Sequence, residues 1–325
     1  MDRRTFLVAA TALGASWTSG HAAASPWPQQ PVRLVNSYPP GGIVDILARA
    51  LANDLGKAIG QPVVVDNKAG AGGNIGTAFV AKAVGDAHTL LMGASGPLAI
   101  NASLYKNVNF DPQKDFTPIS LLAATPLVLV VSKKSGFATV NDLSSRLKAG
   151  NPMAFYGSAG AGTPQHLAAE LFLQKTKLVS THVAYKGGAP AVLAVLGSEV
   201  LYAFENLALV NPHIASGALT ALAVTSLERV DLLPDVPTVA ESGVPGFEAQ
   251  GWYGLLAPAG IPAEVTERLT QETLKIAHSP NFERLVATFG SRSVAQGPAA
   301  FAKLIAADSE KWRKIIVAGN IKPGI

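Results

Sequence analysis

The sequence predicts an α/β fold of two domains that face each other across a ligand cleft. Three observations carry this expectation. Strand-like and helix-like runs alternate along the chain, the alternation passes through two successive cycles with no low-complexity linker between them, and each cycle holds a glycine-rich turn where a strand gives way to a helix. The length of 325 residues suits two domains better than one core, and 48% hydrophobic against 15% charged residues is a globular composition.

In the first cycle "VRLVNS" (32–37) is β-rich. Val44, Leu47, Leu51, Leu55 and Ile59 then recur every three or four residues, which gives a helix one apolar face. "PVVVDN" (62–67) is a strand, "GAGGNIGTAFVAKAV" (70–84) opens a second helix, and "TLLMGAS" (89–95) is a third strand followed by "GPLAINASLY". The order βαβαβ predicts a parallel sheet covered by helices. The second cycle starts at "PLVLVVS" (126–132) and continues through a strand at 153–158, a helix at 163–176, a strand at 179–185, a helix at 187–198 and a strand at 200–206. "LTALAVTS" (219–226) has mixed strand character. In the tail, Ser279 and Pro280 form an N-cap and N1 pair ahead of a helix, and a further helix is faced by Phe301, Leu304, Ile305, Trp312 and Ile316. The tail is expected to return to the first domain. Two apolar, β-rich stretches, near 119–131 and 219–226, are the expected crossings between domains. The resulting division is an export signal over 1–24, a first domain of 25–124 plus 226–325, and a second domain of 125–225.

Composition removes several functions. A net charge of +4 with scattered Lys and Arg is no nucleic-acid signature, and the absence of cysteine excludes disulfides, thiolate metal sites and a Cys nucleophile. No H-E-x-x-H, P-loop or G-x-G-x-x-G spacing occurs, so no metal and no cofactor is expected. The start of the chain has Arg3-Arg4, an apolar run from Phe6 to Trp17, and Ala22-Ala23-Ala24 before Ser25. That is the pattern of a cleaved export signal, of the twin-arginine or the Sec type, so the expected location is the periplasm and the expected mature protein is a soluble monomer.

The two glycine turns are the candidate ligand site. The first amide groups of a helix lack internal partners and sit at the positive end of the helix dipole. Glycine ahead of them lets an anion approach the backbone. Gly41 and Gly42 precede one helix; Gly160, Thr163 as N-cap and Pro164 at N1 precede another. Both turns follow strands and so belong at the carboxyl edge of a sheet, where open α/β folds bind ligands. Around them stand further candidates: Tyr38 and Tyr185 as walls, Val44 as apolar lining, Ser95 in "GASGP", Ser158 at the end of its strand, His166 in the first turn of the second helix, and Glu205 at a strand end. Asp45 could face the ligand, or pair with Arg49 one helical turn on. Trp252 reads better as core than as cleft wall. Ser95 or Ser158 could instead be the nucleophile of a hydrolase, although Pro97 replaces the second glycine of a G-x-S-x-G elbow.

The stretch "YPPGGIVDILARALANDLGKAIGQPVVVDNKAGAGGNIGTAFVAKA" resembles the N-terminal signature of the Bug family, the TctC-like extracytoplasmic receptors of tripartite tricarboxylate transporters. "GASGPLAINASLY", "YKGGAPAV", "LPDVPTVAESG" and "WYGLLAPAG" extend the likeness over nearly all of the chain after residue 25. The resemblance implies a type II periplasmic-binding-protein fold with two crossing hinge strands, a small carboxylate as ligand and a membrane permease as partner. It implies no enzymatic activity, and it places ligand contacts at 38–45 and 158–166, with Ser95 in a third loop. "GDAHTLL" departs from the family's P-D-G-Y-T-L-L, and Glu205 stands where many members have Asp. A third possibility, a ligand sensor for a signalling receptor, would use the same cleft.

Overall fold

The computed structural model describes residues 27–150 and 154–323. The export-signal residues, the position read as the first mature residue, and Met153 of the expected strand at 153–158 lie outside them. The first half builds β1 (Val32–Asn36), α1 (Ile43–Ile59), β2 (Val63–Asn67), α2 (Asn74–Ala81), β3 (Thr89–Ala94) and the short α3 (Asn101–Leu104). β1 lies between β2 and β3, parallel to both, as the βαβαβ order requires. The face of α1 read from its periodicity is the face it buries: Leu47, Leu51 and Leu55 are fully enclosed, together with Val32 and Leu34 of β1.

The strand expected at 126–132 is the far end of a longer one. β4 (Phe116–Ser132) runs for 17 residues through both halves of the sheet. The second half continues with α4 (Val140–Lys148), β5 (Phe155–Ser158), α5 (Pro164–Thr176), β6 (Thr181–Ala184), α6 (Gly188–Leu196), β7 (Tyr202–Asn206), α7 (Leu207–Ala215) and β8 (Leu219–Val224). β5 is parallel to β6 and β7, and the end of β4 from Leu127 onward lies antiparallel to β7 and β8. The chain leaves β8 at Thr225, whose hydroxyl accepts from Leu127 N–H and donates to the carbonyl of Ala249. It then enters β9 (Gln250–Pro258), which lies antiparallel to β3 and to the first part of β4. The two connections between halves are therefore β4 and the stretch from Thr225 to β9, and they meet at Leu127.

α8 (Ala263–Ala277), α9 (Pro280–Ala287), β10 (Arg292–Gln296) and α10 (Pro298–Ala318) complete the chain. α9 carries the expected Ser279 cap, which accepts from Phe282 N–H. α8 and α9 pack on the first half. α10 does more than return there: it packs on β4 and α3 and also on α5, where Gln174 donates to the carbonyl of Ile315 at 3.2 Å. Phe301, Trp312 and Ile315 share a buried cluster with Leu167 and Phe172 of α5, so the core on that face is continuous between halves. Trp252 belongs to it, edge-on to Phe301 and donating from Nε1 to Asp308.

Candidate functional site

A cavity of about 410 Å³ opens where β4 passes from one half to the other. The carboxyl ends of β1, β3 and β7, the starts of α1 and α5, and the middle of β4 beside the start of β9 converge on it. Tyr38, Gly42 and Val44 of the first turn line it, with Ser95 from the loop after β3. Opposite them stand Pro164, Gln165 and Asn206; Thr125 and Leu127 of β4, with Gly251 and Tyr253 of β9, form the floor. No lining residue carries a charge. A larger concavity of about 710 Å³ lies along β1 and the edge strand β2, next to Arg33, Asp66 and Phe79, away from both turns. The smaller one is the candidate site because helix starts and hydroxyls meet there.

The first turn is left bare. α1 starts after Gly42, which has no side chain to cap it, and Gly41 holds φ = +87°, a conformation that other residues adopt only with strain. Asp45 explains how the turn is fixed. Its Oδ2 accepts from Gly41 N–H at 3.0 Å and from Arg49 Nε at 3.0 Å, and Arg49 also reaches Oδ1 at 2.9 Å. The hydrogen bond from Arg49, with that from Gly41, holds this carboxyl below the usual range. Asp45 is thus beneath the turn, in its i,i+4 ion pair, and is absent from the cavity wall. A Cβ on Gly42 would meet nothing closer than the Pro39 carbonyl at 3.9 Å, so the fold leaves this position open.

The second turn is tied to its own half. Ser158 is fully buried; its Oγ lies 2.7 Å from His182 Nε2 and also contacts the N–H and carbonyl of Gly160. Gly162 N–H donates to His166 Nδ1 at 2.9 Å, and Thr163 caps α5 by accepting from His166 N–H while its hydroxyl donates to Gly160. The His166 ring stacks on His182 with centroids 3.7 Å apart. Burial pushes both histidines down, His166 to about 3 and His182 to about 4, so both are neutral near pH 7. Gly162 packs so closely on Leu104 of the first half that a Cβ would sit 2.3 Å from that side chain. Of this turn only Pro164 and Gln165 reach the cavity.

Among the sequence candidates, the structure therefore gathers Tyr38, Gly42, Val44 and Ser95 around one space, with Gly41 and Asp45 directly behind. It places Ser158, Gly160, Thr163 and His166 within the second half, and Tyr185 is half-buried beside Gly157, outside the cavity. Glu205 is buried behind Gln165 and Asn206. Ser158 lies at nucleophile-to-base spacing from His182, but its oxygen is enclosed and already engaged by Gly160. Ser95 is hydrogen-bonded to no histidine among the described residues. Thr125, Gln165, Gly251 and Tyr253 were not foreseen. Gln165 had a signal, since it follows the Thr163-Pro164 start and so occupies N2; the others depend on the pairing of β4 with β9.

Residues 47–321 match the family described as tripartite tricarboxylate transporter family receptor, TctC. The chain is 36% identical to protein BugT of Bordetella pertussis, over 92% of this chain and 93% of that one. Among solved structures it is similar to R. palustris Rpa4515 with adipate, with 33% identity, a TM-score of 0.78, and coverage of 92% of this chain and 100% of the other. It is also similar to MatC from Rhodopseudomonas palustris with bound malate, with 27% identity, a TM-score of 0.73, and coverage of 89% and 99%. These likenesses run through both halves, and the architecture is the two-domain fold of periplasmic binding proteins.

Proposed function

The chain belongs to the tripartite tricarboxylate transporter receptor family, and on that premise we propose that it is a periplasmic solute-binding protein that captures a small organic carboxylate and presents it, as a monomer, to a membrane permease. The observation that carries this reading is the uncapped start of α1 at the wall of an uncharged cavity between the two halves. A carboxylate there gains the free amides and the dipole of α1, a contribution of about 0.3–2 kcal/mol from the helix end and about 1.5–3 kcal/mol for each charged hydrogen bond. The hydroxyls of Ser95 and Tyr253 add further donors. Four or five such contacts reach the roughly −8 kcal/mol of micromolar affinity without an arginine.

The lobes divide at the expected positions 125 and 225, except that 226–249 packs on the second lobe, where Phe247 stacks on Phe204 and meets Phe172 edge-on; they are hinged where β4 and the chain entering β9 meet beside Leu127. The ligand favours the closed arrangement because only there do Gln165 and Asn206 approach the α1 start. The relatives crystallised with adipate and malate support a carboxylate as the ligand class. The test is a thermal-shift screen of the protein against mono-, di- and tricarboxylic and aromatic acids, with neutral amides of the same skeletons as controls. At least one acid raises Tm in a dose-dependent way while its amide does not. Equal shifts for acid and amide, or none for any acid, would overturn the proposal.

A further inference from the structure

Glu205 is fully buried at the end of β7, yet only one of its oxygens is used. Oε2 accepts from Gln165 Nε2 at 3.4 Å and from Asn206 N–H at 3.3 Å, while Oε1 is enclosed with no hydrogen-bond partner. Among the described residues no cation answers it from the surrounding elements. On α5, His166 and Glu170 are engaged with Gly162 and Tyr156; α6, whose Gly188 lies against Glu205, has no titratable residue; β4 faces it with Val128 and Leu129; α7 carries only His213, near its far end. A carboxylate so deprived of water and partners holds its proton more tightly, and burial pushes it from 4.5 up to about 7. Both groups that hold Oε2, Gln165 and Asn206, line the cleft, so a charge placed there is one side chain away.

We propose that the cleft binds a dicarboxylate together with one proton, which is held on Glu205. The guest sets its near carboxylate on the α1 start and its far carboxylate against Gln165 and Asn206. This inference rests on the reading of the cleft as a carboxylate site. An ionised Glu205 would repel the far carboxylate across Gln165 and would lose what hydration reaches it as the lobes close. A proton on Oε2, the oxygen that already meets Gln165, removes both penalties. It also gives Glu205 a donor for the Gln165 carbonyl oxygen, so that the amide turns and its NH₂ faces the guest. The proton comes from the solvent and remains on Glu205; the guest stays fully ionised. Because the guest raises an affinity for protons that is already centred near neutrality, uptake occurs from about pH 7 upward. Observed affinity then falls by up to tenfold per pH unit above 7 and levels off as the pH approaches 6.

The test is isothermal titration at pH 7.5 in phosphate and in Tris, which differ in ionisation enthalpy, using whichever of adipate and malate binds more tightly. The expected result is a buffer-dependent enthalpy corresponding to uptake of a substantial fraction of one proton, with affinity weakening from pH 7 to 8.5. Hexanoate, which lacks the far carboxylate, shows no uptake. Glu205→Gln, which carries a permanent donor, shows no uptake and binds the dicarboxylate more tightly than the wild type does at pH 8.5. Equal enthalpies in both buffers with pH-independent affinity in the wild type would overturn the proton-linked site and leave the carboxylate cleft standing. Binding of neither dicarboxylate would remove both.

Discussion

The two glycine turns are near twins in sequence and opposites in construction. At Pro39–Gly42 the chain uses glycine to leave amides open: nothing caps α1, Asp45 fastens the turn from behind, and the front faces the cavity. At Ser158–Thr163 the same residue type is used to pack. Gly162 presses on Leu104, its N–H belongs to His166, and Gly160 is held by Ser158 and Thr163. A glycine turn before a helix is thus an anion site only when its donors are still unspent. On the proposed reading the grip expected from matched helix starts becomes lopsided, with backbone donors on the first lobe and the side chains of Gln165 and Asn206 on the second.

The contrast can be broken most sharply at Gly42. Gly42→Val puts a branched side chain where only the Pro39 carbonyl is near, at 3.9 Å from the Cβ. Carboxylate affinity should drop at least 100-fold in a titration while Tm shifts by only about 2 °C, in line with the small effect of unhindered surface changes. A bound ligand at unchanged affinity would remove the first turn from the site.

The second turn should respond to acid instead. Unfolding lets His166 regain its ordinary affinity for protons, near 6.5, whereas the folded protein holds it neutral down to about 3. The unfolded state therefore binds the proton first, and stability declines as pH falls below 6.5. At pH 5 the loss from this residue is roughly 2 kcal/mol, and His182 acts in the same direction. In His166→Asn the Oδ1 can replace Nδ1 as acceptor for Gly162, so urea unfolding at pH 7 and pH 5 should show a smaller pH penalty than in the wild type. An identical penalty would mean that the stacked pair is not what makes this half acid-sensitive. The smallest effect is expected at the cap. Thr163→Ala should cost about 1 kcal/mol of stability and leave affinity within a few-fold, because Thr163 faces its own half. A loss of affinity well beyond the loss of stability would restore the second turn as a direct ligand contact.

Much of the fold was legible because local pattern and tertiary role agree. The α1 stripe from Val44 to Ile59 and both parallel strand triads follow from periodicity alone. β4 is longer than the stretch at 126–132 because its two prolines do not end it: Pro118 and Pro126 sit at positions where register shifts or the partner strand changes. Gly251 and Gly254 likewise lie inside β9. The bare first turn was visible as Gly41-Gly42 ahead of an apolar helix. The spent second turn was not, since the residue that occupies Ser158 is His182, 24 positions away on a neighbouring strand. No local signal reports whether a backbone amide already has a distant partner.

The shared strand has a thermodynamic consequence. β4 contributes hydrogen bonds to both lobes, and α10 joins their interiors through Trp312 and Ile315. Neither lobe can melt without exposing the edge and the oily surface that the other relies on. Calorimetry should accordingly record a single cooperative heat-absorption peak for an architecture that is, in outline, two bodies on a hinge.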